Sequence, residues 1–413
     1  MRLNKVLEEQ LGKISLSDDE IKNFRKIANS FIKKLKKKGV KVFIGGSFAK
    51  GTAVKKDSLQ DIDIFVMFDK ESDTKKLGAL LKGIDVGGYL RKVHGSRDYY
   101  QVVMPEVILE LIPVVKNIDP AKANNVTDVS MLHVDYVVKK LKENPVLNNE
   151  IKLAKSFVRA NKCYGAESYI KGFSGYSLEL LVIYFGGFVN FLKKISKVDV
   201  LDPEKYFSGK KQIMMELNSS KLQSPIVVVD PTYKYRNVCA GLGIETFSKF
   251  IKIAQAFLQN PNSDFFEFKN IDILELRKIA EKNKARYVEI EFTTDKQEGD
   301  VAGSKMKKYF DFIIKEFERN GQTVFYTDFY YLGYGKSSKG YIIVIEKFVI
   351  EREGPPVNLI EQVDKFRKLH GVNIVEKKGV LYVKVEISLN NLLMKIKKFE
   401  KEMFVKINRL IIE

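Results

Sequence analysis

Two carboxylates lie two residues apart in Gln60-Asp61-Ile62-Asp63-Ile64-Phe65-Val66. Side chains alternate across a strand, so Asp61 and Asp63 share one face. Like charges side by side repel, and the arrangement is costly unless a cation lies between them. A divalent metal ion is therefore the first chemical expectation. Just upstream, Ile44-Gly45-Gly46-Ser47-Phe48-Ala49-Lys50-Gly51-Thr52 is a Gly-Ser turn closing an apolar run. Gly46 and Ser47 can offer a backbone N–H and a hydroxyl to phosphate at a helix N-terminus. A Gly-Ser pair alone is nearly uninformative; joined to Asp-x-Asp fourteen residues later it becomes specific.

Phosphoryl transfer to a hydroxyl needs metals to neutralise a triphosphate, carboxylates to hold them, and a cradle of donors. Two metals about 3.5–4 Å apart can activate the attacking oxygen and stabilise the leaving one. A third carboxylate is then expected on a nearby strand, and Val107-Ile108-Leu109-Glu110-Leu111-Ile112-Pro113 supplies Glu110. A lone charge in so apolar a run is uncommon unless paired or metal-bound. The bland alternative is an edge-strand glutamate facing water.

These residues need elements to position them. Ser17-Asp18-Asp19-Glu20 reads as a capping box opening a helix with Ile21, Phe24, Ile27, Ala28, Phe31 and Leu35 on one stripe. Lys36-Lys37-Lys38-Gly39 would end it, with cations and a glycine where the helix dipole and C-cap favour them. Strands are expected at 40–44, 61–68, 99–103 and 107–112, the last ended by Pro113, with a helix over 73–82. From 130 to 260 the pattern turns helical: 130–143, 149–161, 174–195 and 244–259, with a short apolar run at 226–229. Pro261-Asn262-Ser263 reads as a linker. Beyond it, helices over 271–282, 304–320, 359–369 and 389–403 alternate with strands at 286–292, 323–331, 340–347 and 381–387. Glu353-Gly354-Pro355-Pro356 reads as a hard break. The C-terminal half is thus α+β.

At 413 residues the chain should hold several domains. Lys+Arg exceed Asp+Glu by 71 − 52 = 19, and this net charge of +19 points to a polyanionic partner, nucleic acid first. A lysine-rich surface kept for solubility would give the same excess. The two cysteines, Cys163 and Cys239, lie in no metal-type spacing, so a reducing cytoplasm is expected and a disulfide framework is not. The N-terminus is amphipathic and charged, unlike a signal peptide. The most apolar stretch, 178–191, is too short for a membrane span and interrupted by Gly186 and Gly187, so no membrane association is expected.

The motif G-G-S-x-A-x-G-T followed by D-I-D-I-F-V resembles the nucleotidyltransferase superfamily of DNA polymerase beta and the poly(A) polymerases. More closely, the chain is similar to the archaeal, class I CCA-adding enzymes (tRNA nucleotidyltransferases). Two further stretches carry this likeness: 153–167, with Leu153-Ala154-Lys155-Ser156-Phe157 and Tyr164-Gly165-Ala166-Glu167, and Gly172-Phe173-Ser174-Gly175-Tyr176-Ser177-Leu178-Glu179. Asp230-Pro231, Arg236-Asn237-Val238 and Glu353-Gly354-Pro355-Pro356-Val357 also fit.

The resemblance implies an α+β, multidomain architecture. Its parts would be a polymerase beta-like nucleotidyltransferase head over 1–129, a helical neck over 130–262, and an α+β body and tail over 263–413 that binds tRNA. It implies addition of C, C and A to the tRNA 3′ end from CTP and ATP, with no nucleic-acid template and with Mg²⁺, two ions in the usual scheme. Asp61, Asp63 and Glu110 would be the catalytic metal carboxylates. Gly46, Ser47 and Lys50 would meet the triphosphate beside the turn, Lys155 and Tyr164 from the neck, with Ser130 and His133 nearby. Arg236 would read the Watson–Crick edge of the incoming base, and Arg97 would lie at the base and sugar end, where the family often has His. Glu110 stands where the family usually has Asp.

Plainer roles are open to several of these residues: a solvated helical lysine for Lys155, a packed capping aromatic for Tyr164, a helix-start surface residue for His133. Arg236 follows Tyr233-Lys234-Tyr235 and could stack on RNA, yet its planar fork suits bidentate base recognition. Competing functions are a poly(A)- or oligoadenylate-type polymerase and a catalytically dead RNA-binding relative. Retention of three carboxylates opposes the latter. Oligomeric state is left open, a homodimer among the options.

Overall fold

The structure, a computed structural model, describes residues 2–413 apart from 57, 96, 117, 118, 124 and 372. The chain divides into two compact units, Met1–Lys269 and Asn270–Glu413.

The first unit opens with helices α1 (Arg2–Ile14) and α2 (Asp18–Lys36), the latter closed at its start by the expected reciprocal Ser17/Glu20 capping box. Strand β1 (Lys41–Ile44), the short helix α3 (Gly46–Lys50), β2 (Gln60–Phe68), α4 (Leu77–Leu81), β3 (Tyr89–Val93), β4 (Tyr99–Val103) and β5 (Val107–Val115) follow. The strands form one sheet in the order β1-β2-β5-β4-β3, with β2 and β5 parallel and the other neighbours antiparallel. Phe24, Ala28, Phe31 and Leu35 of α2 pack on Ile62, Ile64, Val66, Leu109 and Leu111. Strand alternation therefore turns Asp61, Asp63 and Glu110 to the opposite face.

A largely helical layer completes the unit: α5 (Ser130–Glu143), α6 (Leu147–Ala160), α7 (Gly175–Phe185), α8 (Phe188–Lys194), β6 (Val200–Leu201), α9 (Lys210–Glu216), β7 (Val227–Asp230), β8 (Tyr233–Asn237) and α10 (Ile244–Gln259). Its core is aromatic, with Phe157 meeting Phe188, Phe250, Phe257 and Phe266 edge-on or tilted. The single helix expected over 174–195 is two helices bent by 90°. Gly186 takes a left-handed C-cap at φ 73°, and Gly187 continues at φ 134°, conformations other residues rarely adopt. Among the described residues no single helix is long and apolar enough to cross a membrane.

The second unit holds α11 (Ile273–Lys282), β9 (Arg286–Thr293), α12 (Asp300–Arg319), β10 (Thr323–Tyr330), β11 (Ser337–Ile345), β12 (Val349–Pro356), α13 (Ile360–His370), β13 (Ile374–Lys377), β14 (Val380–Glu386), α14 (Leu389–Lys397), α15 (Glu400–Met403) and β15 (Lys406–Ile412). Helices α12 and α14 cover a four-stranded antiparallel sheet, β10-β11-β9-β15; β12, β14 and β13 form a separate three-stranded sheet.

Several boundaries differ from expectation. Pro113 does not end β5: it pairs with Val66, two residues past Leu111, the last partner of β4. Its carbonyl accepts from Arg97, so the ring nitrogen lies on the flank that β4 no longer occupies, where no ladder bond is lost. Glu353-Gly354-Pro355-Pro356 is no break either. It runs inside β12, an edge strand whose register shifts between Glu353 and Pro356, and a bulged edge tolerates proline. The helix expected over 389–403 is interrupted between α14 and α15, and the one over 73–82 is a 3-10 turn (Glu71–Lys76) followed by α4. At Pro261-Asn262-Ser263 the chain enters a 3-10 turn whose Phe266 joins the aromatic core.

Candidate active site

The parallel register sets Asp63 of β2 beside Glu110 of β5. Antiparallel pairing continues the line to Gln101 of β4 and Arg91 of β3, a polar row crossing the sheet. Gln101 Nε2 donates to Glu110 Oε1 at 2.6 Å, and Arg91 Nε donates to Gln101 Oε1 at 3.0 Å. Burial and the neighbouring Asp61 charge push the Asp63 carboxyl above its ordinary range, more than Lys50 and Lys56 pull it down. Burial and the Asp63 charge likewise push Glu110 up, against the Gln101 hydrogen bond. Lys56 caps Asp61 directly.

The Gly-Ser turn lies on this cluster. Gly45 N–H donates to the Asp63 carbonyl at 2.9 Å. Gly46 has φ +57°, and a Cβ there would overlap Asp63 Oδ2. Ser47 is half-buried in the first turn of α3. Among the described residues no three His, Cys, Asp or Glu side chains converge closely enough to enclose a metal ion. Asp61 is turned to Lys56 and Glu110 to Gln101, so those two side chains would have to let go. The donor set itself fits a hard divalent cation: hard oxygens whose mutual repulsion a cation would relieve.

A second wall comes from the helical layer. Lys155 of α6 is buried, not solvated. Its Nζ donates to Glu179 Oε1 at 2.7 Å, Thr52 Oγ1 at 2.9 Å and Thr52 O at 3.2 Å. Lys50 Nζ donates to Glu179 Oε2 at 2.6 Å, and Thr52 Oγ1 to Glu179 Oε1 at 2.7 Å. Burial alone would raise the Glu179 pKa, but the charges and hydrogen bonds of Lys155 and Lys50 bring it down to about 2. Tyr164 is half-buried; the Arg159 guanidinium lies 4.8 Å from its ring centroid, and burial pushes its phenol up.

Further along, β7 and β8 bring Asp230 and Arg236 to His133 of α5. Arg236 Nη1 donates to His133 Nε2 at 3.0 Å, and Asp230 Oδ2 lies 3.4 Å from both groups. His133 is buried, contrary to a surface helix start, and stacks on Tyr176 with centroids 4.0 Å apart. Burial lowers the His133 pKa despite Asp230. Tyr176 donates to Asp230 Oδ1 at 3.1 Å. Ser130 is half-buried at the start of α5, one turn before His133.

Arg97 is placed differently from the expectation of a base or sugar contact. Its Nε and Nη2 bind Glu71 at 3.0 and 2.5 Å, Nη1 binds Asp128 at 2.6 Å and Pro113 O at 3.0 Å, and Nη2 also reaches Asp128 at 3.1 Å. All five guanidinium N–H groups are thereby engaged, and Arg97 clamps β5 to the turns on either side.

Sequence reasoning passed over Glu179, Asp230 as a side chain, Thr52 and Lys56. Glu179 had a usable signal: it is the only charge in Gly175–Phe185, the same argument that singled out Glu110. Thr52 and Lys56 had none, since both are ordinary residues whose partners come from tertiary packing.

Comparison with known proteins gives the family. A family model for the nucleotidyltransferase domain matches residues 24–158, and one for the second domain of tRNA nucleotidyltransferase matches 149–267. The CCA-adding enzyme of Nanoarchaeum equitans is 34% identical over 359 residues, covering 83% of this chain and 82% of that protein. That of Methanocaldococcus jannaschii is 27% identical over 405 residues, covering 90% and 85%. Among solved structures, a cytoplasmic RNA terminal U-transferase aligns with a TM-score of 0.51 at 14% identity, over 65% of this chain and 99% of its own, a likeness of fold alone. With 34% identity to the first of these across four-fifths of its length, the chain belongs to the family of archaeal CCA-adding enzymes.

Proposed function

We propose that this chain adds or repairs the 3′-terminal CCA of tRNA, using CTP and ATP without a nucleic-acid template. The observation that carries the reading is the Asp63–Glu110 pair on adjacent parallel strands, directly beneath the Gly46-Ser47 turn. Acid groups to hold metal and donors to hold phosphate thus meet in space. In the reaction the 3′-hydroxyl oxygen of tRNA attacks the α-phosphorus, the bond to the bridging oxygen breaks, and pyrophosphate leaves.

Asp61, Asp63 and Glu110 would hold two Mg²⁺ ions, which when bound supply activation of the hydroxyl and neutralisation of the leaving charge. Gly46 and Ser47 present the amide and hydroxyl donors of the α3 start to the triphosphate. Lys50 adds charge there: an ammonium has three donors, and among the described residues the one protein hydrogen bond of Lys50 goes to Glu179. Lys155 and Tyr164 line the same side. Arg236, braced by Asp230 and His133, faces the base with the rest of its fork, and Ser130 lies beside it. Arg97 acts as a clamp on the sheet. The +19 net charge supplies sequence-independent affinity for the RNA backbone. On this reading residues 1–129 form the catalytic head, 130–262 the neck and 263–413 the tRNA-binding body and tail. The test is direct: purified protein with Mg²⁺, CTP, ATP and a tRNA lacking its 3′ CCA should extend it by three nucleotides. Failure to incorporate either nucleotide would overturn the reading.

A further inference from the structure

Glu179 is fully buried in an otherwise apolar helix, and neither the carboxylate cluster nor base recognition uses it. Burying a carboxylate is expensive unless it is paired and hydrogen-bonded. Here it is: one oxygen meets Lys50, the other meets Lys155 and the Thr52 hydroxyl. The partners come from two layers with separate cores. Lys50 and Thr52 flank the Gly-Ser turn against the sheet, while Lys155 and Glu179 belong to α6 and α7 of the helical layer. The two lysines are not equivalent. Lys155 gives its three N–H donors to Glu179, Thr52 Oγ1 and Thr52 O, so its ammonium is fully engaged. Lys50 has one such bond among the described residues, and the Tyr176 ring lies 5.8 Å from its ammonium.

We propose that Glu179 is a positioning residue that aims Lys50 at the substrate triphosphate, while Lys155 and Thr52 anchor that carboxylate across the two layers. The inference rests on the nucleotidyltransferase reading and deepens it. Glu179 keeps two neighbouring ammoniums together where alone they would repel, so the Lys50 side chain is held beside the turn. The group it serves is the triphosphate common to CTP and ATP, so its effect is blind to the base.

Steady-state kinetics on full-length Glu179→Gln, with tRNA lacking CCA and tRNA ending in CC, tests this. KM for CTP and for ATP should rise by the same factor, about tenfold for one weakened charge-assisted contact, with kcat changed less than KM. Inhibition by inorganic pyrophosphate should weaken in parallel. In a Lys50→Ala background the same change should raise KM no further, since the two act as one unit. An unchanged KM with only a lower melting temperature would make Glu179 merely structural. A fall in KM would make it a competitor of phosphate. Either result overturns the proposal while wild-type extension still stands. Should Glu179→Gln fail to fold, Glu179→Asp serves: it keeps the charge but withdraws the carboxylate by a methylene, and the same shared KM rise is required.

Discussion

Two buried charge clusters lie either side of the Gly-Ser turn, and they are built on opposite terms. On the sheet, Asp61, Asp63 and Glu110 crowd like charges together, and burial with mutual repulsion lifts Asp63 and Glu110. On the helical side, Glu179 sits between two ammoniums and is driven down to about 2. In the first cluster like charges crowd together, held by Lys56 and Gln101, and a cation would relieve their repulsion; in the second, opposite charges neutralise one another. On the proposed reading, local frustration would mark where chemistry is done, and neutralised charge what holds it in place.

The sharpest break in this contrast is Asp63→Ala. Nucleotide addition should fall to background in a gel extension assay, while tRNA binding by filter retention survives, because contacts to backbone phosphates and not Asp63 supply the affinity. Equal loss of binding would refute the division of roles. Next in size is Lys155→Met, which removes one of the two cations flanking a buried carboxylate. Breaking such a pair costs about 3–5 kcal/mol, measurable as a lower urea midpoint. Asp63→Asn should do the reverse without metal, leaving stability unchanged or raised.

The pH dependence separates the clusters by sign. Glu179 has a folded value of about 2, below its unfolded value of roughly 4.3. Its contribution is therefore present above the unfolded value and is lost as pH falls from about 4 toward 2. Asp63 and Glu110 are raised, so the folded state binds their protons more tightly, and their contribution declines as pH rises through those values. Melting scans in EDTA should show wild type losing stability with rising pH in the weakly acidic range, and Asp63→Asn losing less. The smallest effect is expected for Arg97→Lys. A lysine cannot reproduce the fork, so stability should drop by about 1–2 kcal/mol with KM for CTP and ATP unchanged. A large KM change would return Arg97 to the nucleotide pocket.

Much of this was legible in the chain because the signals were local. The Ser17/Glu20 box, the Asp61/Asp63 alternation and the lone Glu110 are each decided within a few residues, and the structure places all three as their spacing requires. What was illegible depended on distant partners. His133 could be read either as a pocket residue or as a helix-start surface residue, and its burial shows only once Tyr176 stacks on it. Arg97 reads, from the resemblance, as a base or sugar contact, and nothing local shows that Glu71 and Asp128 close on it from 26 and 31 residues away. Pro113 and Pro355 look like strand breakers because the pattern cannot say which flank of a strand is unpaired. Strand β3 escaped notice because it is exposed along most of its length, without the apolar alternation of a half-buried strand.

The polar row across the sheet also fixes a direction. Gln101 is an amide that could sit either way round, but Arg91 only donates, so the Gln101 oxygen must face Arg91 and its nitrogen must face Glu110. One oxygen of Glu110 thereby accepts from the amide, and the carboxyl group also meets Asp63. An arginine exposed on the edge of the sheet thus ensures, through one amide that cannot turn over, that the third acid meets an N–H donor on that side.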